Sequence, residues 1–344
     1  MDNLIKNKPT LKEFNYLRGI GIFLVVLGHS FPFIDETNIS IYKYIHSLIY
    51  SFHMPLFIMI SGFFAYKILN INSFKEYREF ISNKFKKLMI PYFTISFITI
   101  PIKLLLNNFS ERKVVPSEIL IDIFFYPWNN PIIFFWFIYV LFLIFLFAPL
   151  VIKMNKYVVL ILFFTLSSLK IDNITFMGIS TIFNYSIYFF VGIYIREFYM
   201  KKREEILNFK FNIANSIFLI LIPSIIFLLN ISLNFQNIFS NMLYILKSFL
   251  GIYISFIICI LICRFKKHNI LSSSLNTLSK YSFDIYLLSW FPQIFSRILF
   301  SQILNLNYNF VVLISLLLGF TPIIVSKYFL RKFNITKKLL LGIV

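Results

Sequence analysis

The sequence predicts an all-α fold: a polytopic membrane bundle of about ten transmembrane helices with both termini in the cytoplasm. The first support is composition. Of 344 residues, 59% are hydrophobic and only 14% are charged, with a mean hydropathy of +0.80. A soluble domain has too little interior to hide that much apolar surface. The second is the recurrence of apolar runs near the length of about 20 residues that a membrane-crossing helix needs. The third is charge segregation. Of the 33 Lys and Arg residues, 25 fall at one set of run ends, four at the other set, and four within the runs. The positive-inside rule puts the richer side in the cytoplasm. In this setting the net charge of +19 reports orientation and gives no reason to expect nucleic acid as a partner.

The expected spans, in chain order, are 12–33, 48–69, 89–108, 131–152, 156–170, 178–198, 213–231, 239–263, 277–303 and 309–330. The run at 156–170 is the shortest of them. Basic breaks separate the runs: Lys67 to Lys87 after the second, Lys153 and Lys156 after the fourth, Arg196 to Lys210 after the sixth. Arg264 to Lys280 follows the eighth, and Lys327 to Lys338 follows the tenth. The longest outer connection, 109–130, reads as a lid or as an ordered turn. No internal repeat is seen, and 1–344 reads as a single membrane-embedded domain. Nothing at its start reads as a cleaved signal peptide.

Polar groups inside the spans point to chemistry, because ionisable side chains at membrane depth are costly and face a bundle interior or a wet cavity. Arg18 and His29 both lie in the first run. Their spacing makes about three helical turns, so both side chains share one face, about 16 Å apart along the axis. His53, near the outer start of the second span, is expected at the depth of His29. Lys103, Lys247 and Arg297 fall in outer halves of their spans, with Trp136, Trp290 and Gln293 at similar depth. A basic, aromatic, hydrogen-bonding outer cavity suits a sugar: ring faces stack on C–H edges while amide and guanidinium groups bind hydroxyls. His53, Ser61, Trp136, Trp290, Gln293 and Arg297 are the substrate-binding candidates. Ser61, like Gly62 and Gly192, also reads as a small residue for close helix packing.

At the inner side, Lys84, Lys86 and Lys87 precede the third span. They read either as phosphate ligands of a cytosolic donor or as a topology signal that binds anionic lipid. Cys259 and Cys263, one turn apart in an apolar run, read as packing residues. No metal-ligand pattern, P-loop, Gly-rich dinucleotide turn or Gly-x-Ser-x-Gly elbow is present.

Arg18 through His29, in LRGIGIFLVVLGH, resembles the Arg–ten residues–His motif of acyltransferase family 3, the integral-membrane O-acyltransferases. FHMPLFIMISGFF resembles the family's second helix and KFKKLMIPY its basic stretch entering the third, with lysines where arginines are common. YSIYFFVGIYI and SKYSFDIYLLSWFPQ resemble later family segments. There are departures. Asn15 stands where the family often has Asp, so an ion pair that would fix Arg18 is missing from the pattern. Phe135 stands where a His commonly precedes Trp136. Ser289 and Trp290 stand where many members have His, a variant similar to the fucose-type sugar O-acetylase branch.

The resemblance implies an O-acyltransferase, in the first place an O-acetyltransferase. It would move an acyl group from cytosolic acyl-CoA, as co-substrate and with no bound cofactor or metal, to a hydroxyl of a cell-surface polysaccharide or lipid-linked sugar. No outer esterase-like domain is read in the chain, so transfer to the carbohydrate or glycolipid would be direct. His29 and Arg18 are the catalytic candidates: neutral His29 as general base, Arg18 as the group that orients the donor or stabilises negative charge. Lys84, Lys86 and Lys87 would bind the donor. The expected setting is a bacterial plasma membrane, with the lipid bilayer as partner and the oligomeric state open. The rivals are a transporter or flippase of acylated sugars, which usually shows repeat symmetry or interrupted helices at the midplane, and a glycan polymerase or ligase, which needs a larger outer loop.

Overall fold

The computed structural model describes residues 11–32, 40–109, 113–209, 215, 217–228, 238–264 and 270–343. Lys6, Lys8, Arg112, Lys210, Lys266 and Lys267, counted above for orientation, lie outside the described residues, as do Phe33 and parts of the 213–231 run. Every element among the described residues is helical. Six helical stretches are long and apolar enough to cross a membrane: Ile41–Asn70, Phe74–Leu105, Ile133–Val151, Phe176–Asn208, Ile238–Arg264 and Tyr308–Leu330. Shorter apolar helices occupy Lys156–Leu169 and Phe218–Leu228.

Helix α1 (Lys12–Gly28) is shorter than the expected span. Pro32 is the cause, since a proline disfavours helical backbone in the residue before it and cannot donate an amide itself. α2 (Ser40–Phe64) returns beside α1 and ends in a 3₁₀ turn, Tyr66–Asn70. α3 (Phe74–Lys84) opens on a capping box, in which Ser73 accepts from the amide of Glu76 and the Glu76 carboxylate accepts from the amide of Ser73. A π turn, Phe85–Met89, joins it to α4 (Ile90–Leu105), so the third span begins well before residue 89. Short α5 (Ile119–Phe125) precedes α6 (Trp136–Val151). α7 (Lys156–Leu169) starts at an Asn155 cap.

α8 (Ile179–Asn208) runs beyond the expected end at 198. Its extra turns carry the Lys201–Glu197 and Lys202–Glu205 pairs and a buried pair described below. α9 (Ile222–Leu228) and α10 (Ile238–Arg264) follow. The expected 277–303 span is segmented into α11 (Ile270–Lys280), α12 (Ser282–Leu288) and α13 (Trp290–Arg297), with a π stretch to Ile303. The amides of Ile285, Ser289 and Gln293 still bond four residues back, so the path stays helical through the breaks. Pro292, which lacks an amide, sits just past the second break. α14 (Tyr308–Leu318), α15 (Thr321–Val325) and α16 (Asn334–Leu341) complete the chain.

α2 makes its broadest contact with α8. The crossing is backbone on backbone. A Cβ at Gly62 would lie 2.0 Å from the carbonyl oxygen of Phe189, and one at Gly192 would lie 2.2 Å from that of Met59. Small residues at both positions are what permits this approach. Gly62→Ala should therefore separate the pair. The expected cost is about 1–3 kcal/mol, as for other overpacked interiors, read as a lower melting temperature in detergent; an unchanged melting temperature would show that the crossing has slack.

α1 is anchored to α8 through Glu13. This carboxylate is fully buried and accepts from Arg203 Nε at 2.7 Å, Arg203 Nη2 at 3.0 Å and Tyr199 Oη at 2.8 Å. Both its oxygens are used, the condition under which a buried charge is tolerated. A similar anchor joins α12 to the last turns: buried Asp284 binds Arg331 at 2.8 Å and accepts from Ser326.

Candidate active site

The helix that carries Arg18 continues its ladder to His29, whose amide donates to the Val25 carbonyl at 3.1 Å. Both side chains face α2. The Arg18 guanidinium lies 4.4 Å over the Phe64 ring, and the His29 ring lies 5.9 Å from the Tyr50 ring. The two helices are antiparallel, so Phe64 and Tyr50 mark opposite ends of one seam. Buried Ile22 and Val25 fill α1 between them. The common face expected from the spacing is present.

At the His29 end there is a cavity of about 110 Å³. Its walls include His29, Lys103, Phe134, Trp290, Gln293, Arg297 and Gln302. The 109–130 connection supplies another wall through Phe109, Val114, Asn129 and Asn130. That connection is held in place. Tyr92 Oη donates to the Ile123 carbonyl at 2.8 Å, Tyr139 Oη to that of Phe124 at 2.7 Å, and Asn130 Nδ2 to Ser96 Oγ at 2.8 Å. The described part of this stretch is ordered and walls the cavity, which does not choose between a lid and an ordered turn.

Gln293 is 1% exposed, and its amide nitrogen donates to the Val26 carbonyl at 2.8 Å and to Ser30 Oγ at 3.1 Å. Both N–H bonds are thereby used, which fixes the amide's orientation. Its Oε1 is buried with no hydrogen-bond partner. A buried acceptor without a donor is costly, and on the wall of a cavity it is a place where a ligand hydroxyl or amide is rewarded. Arg297 crosses to α1 and donates from Nη1 to the Phe31 carbonyl at 3.2 Å. Trp290 packs edge to face on Phe291 at 5.3 Å.

Of the candidates read from sequence, His29, Trp290, Gln293 and Arg297 come together here, joined by Lys103. Others do not reach the cavity. Trp136 stacks on Trp128 at 4.6 Å and leans on Tyr185 at 5.2 Å, which uses its faces for packing. His53 is 2% exposed; its Nδ1 is tied to the Ile49 carbonyl at 2.7 Å and its ring abuts Tyr50 at 4.8 Å. Its ring and that of His29 both touch Tyr50, but His53 does not line the cavity. Ser61 is on α2 beside the Gly62 crossing, away from the cavity.

The Arg18 end is cationic. Lys87 is within electrostatic reach of Arg18, and Lys84 of Lys87. The Lys84 ammonium sits 3.7 Å over the Phe145 ring. Lys86 is exposed on the π turn. Arg196, which sequence reasoning counted only for orientation, adds a second guanidinium beside Phe64, at 5.8 Å, and stacks on Tyr66 at 3.9 Å. Among the described residues Arg18 has no carboxylate partner, and the one acid on α1, Glu13, is taken by Arg203 and Tyr199. Clustered cations without an acid are stabilised by an anionic ligand.

A family model described as an acyltransferase domain, acyltransferase family 3, matches residues 11–328. The chain belongs to acyltransferase family 3. No curated protein and no solved structure matches it. Membership makes the chain a membrane acyltransferase and directs attention to the cavity that His29 lines. A larger groove of about 350 Å³, lined by Phe198, Ile206, Leu219, Ile257 and Ile260 with the Lys202–Glu205 pair, has no histidine in its lining. Sequence reasoning did not single out four residues at or beside this cavity: Asn129, Asn130, Tyr50 and His46. Asn129 and Asn130 carried no periodic signal. Tyr50 and His46 did: with His53 they fall at spacings that place all three on one face of α2.

Proposed function

We propose that this acyltransferase transfers an acyl group, acetyl in the first place, from acyl-CoA to a hydroxyl of a cell-surface polysaccharide or lipid-linked sugar. The observation that supports the reading is the pairing along α1 of His29, just past its last turn in the wall of the cavity, and Arg18, a guanidinium without an acid partner among the described residues. The acceptor occupies the cavity. Trp290 offers it a ring face, Gln293 Oε1 takes a hydrogen bond from one of its hydroxyls, and Arg297 binds another oxygen. The donor's phosphates bind Arg18, Lys84, Lys86 and Lys87, and its thioester reaches along the seam to His29.

His29 removes the proton of the attacking hydroxyl as its oxygen bonds to the thioester carbonyl carbon. The carbon–sulfur bond then breaks, and the imidazolium returns the proton to the departing thiolate. The products are the ester and free CoA, and no other reactant is needed. A positioned base contributes about 10²–10⁴-fold to such a step.

Ten spans with both termini in the cytoplasm complete the reading. α1 and the α11–α13 path count as spans despite their breaks, and the donor cluster then faces the cytosol. The protein would reside in a bacterial plasma membrane.

Purified protein in detergent, given acetyl-CoA and extracted surface glycan, should release CoA and esterify the glycan without any membrane gradient. A transporter or flippase of acylated sugars would give neither product. Impermeant labelling of single cysteines at the two termini should find both protected in intact cells; opposite labelling would refute the ten-span arrangement.

A further inference from the structure

We propose that Tyr50 is the positioning residue of the catalytic histidine, holding His29 in the tautomer that leaves Nε2 open to accept a proton. The inference rests on the reading of His29 as general base. A neutral imidazole can act as a base at one nitrogen only if the other carries the hydrogen, and a hydrogen-bond acceptor at that second nitrogen fixes the choice. Tyr50 Oη lies 3.3 Å from His29 Nδ1. It is the one hydrogen-bonding side chain on His29 among the described residues. With Nδ1–H donating to the phenol oxygen, Nε2 keeps its lone pair, and the same bond persists when the ring becomes imidazolium.

The phenol ring is itself held from several directions. His46 stacks on it at 3.9 Å, and His53 meets it edge to face at 4.8 Å. The Tyr50 carbonyl accepts from Tyr244 at 3.2 Å, and the next carbonyl, of Ser51, accepts from Ser248 at 2.6 Å. Gly28 makes the space on the α1 side, since a Cβ there would come within 3.1 Å of the ring edge of Tyr50. A ring this constrained has little freedom to carry His29 away from one orientation.

The choice of a phenol has a physical reason. Hydrolases commonly orient their histidine with a carboxylate. In a membrane-embedded site an ionised carboxylate carries a desolvation cost that a neutral phenol does not. Arg297, His46 and His53 act on His29 electrostatically and Tyr50 touches it, and none of these is a carboxylate.

The test uses membranes containing the full chain, with acetyl-CoA as donor and two acceptors: the endogenous glycan and hydroxylamine. Hydroxylamine is uncharged at neutral pH and attacks a thioester without a base. Tyr50→Phe keeps the ring and removes the hydroxyl. It should lower kcat for the glycan by about 10–100-fold, the range found on removing an outer partner that orients a metal-bound histidine. The KM for acetyl-CoA and the rate with hydroxylamine should stay within about twofold of wild type, because the donor site is untouched. Gly28→Ala, which presses on the phenol, should lower the glycan rate in the same direction and spare hydroxylamine. Loss of both rates together in Tyr50→Phe would overturn the proposal, as would a glycan rate near wild type while His29→Ala is inactive. Activity in His29→Ala would instead remove the base reading on which the proposal stands.

Discussion

Membranes carrying His29→Gln should lose acyl transfer by about 10²–10⁴-fold, the range spanned by a positioned general base, while the protein inserts and accumulates at the wild-type level. Glutamine keeps a polar group against Tyr50 and the cavity, so hydration and packing at the end of α1 change little. What it loses is the capacity to take a proton at neutral pH. His29 sits just past the last turn of α1, against Phe134 at 4.9 Å and Tyr50 at 5.9 Å. No other element depends on it, and His29→Ala should be equally well inserted and equally inactive. The assay is acetyl transfer normalised to protein by immunoblot. Substantial activity in His29→Gln would sink the base assignment. His53 would not be its replacement, since its ring is tied to the Ile49 carbonyl outside the cavity lining.

Arg18→Lys should raise the KM for acyl-CoA by about 10–100-fold, with a smaller change in kcat. The guanidinium carbon lies 4.4 Å over the Phe64 ring, and a guanidinium can grip a phosphate in a planar, two-pronged contact. Lysine keeps the charge but has neither the plane nor the fork. Hydrogen bonds to charged groups are worth about 1.5–3 kcal/mol, and each 1.4 kcal/mol is about tenfold in affinity. Contacts made equally in the ground and transition states appear in KM. Donor titration of the variant in purified protein reads this directly. If lysine gave wild-type kinetics, Arg18 would be a charged anchor at the membrane face and no more.

The part of this site that could be read in the sequence was the part written on a single helix. Arg18 and His29 share a face because of helical periodicity, and both do face α2. Gln293 and Arg297 were legible for a similar reason, as polar groups one turn apart in an apolar run. Trp136 shows where such reading stops. Its faces are taken by Trp128 from the preceding turn and Tyr185 from α8, and no property of its own segment reveals that. His53 was read as substrate-binding from its register, and it packs on Tyr50 outside the cavity lining, because azimuth follows from packing and not from register. The segmented course of 277–303 had a visible cause in Pro292, which hydropathy does not weigh. Tyr50 passed unnoticed because tyrosine in a span reads first as an interfacial residue, although its spacing from His46 and His53 marked a common face.

The Gly62–Gly192 crossing bears on how a bulky donor can enter and leave. Where two backbones touch carbonyl to Cα, neither sliding nor rotation about the helix axis is open without a clash. α2 and α8 must therefore move together during turnover, as a fixed spindle. Tyr50, the phenol against His29, rides on one of these helices, and Arg203, which grips α1 through Glu13, rides on the other. Any widening of the seam between Arg18 and His29 has to come from helices that swing about this spindle. The α11–α13 path, interrupted at Tyr281 and Ser289 yet helical through both breaks, carries the cavity residues Trp290, Gln293 and Arg297.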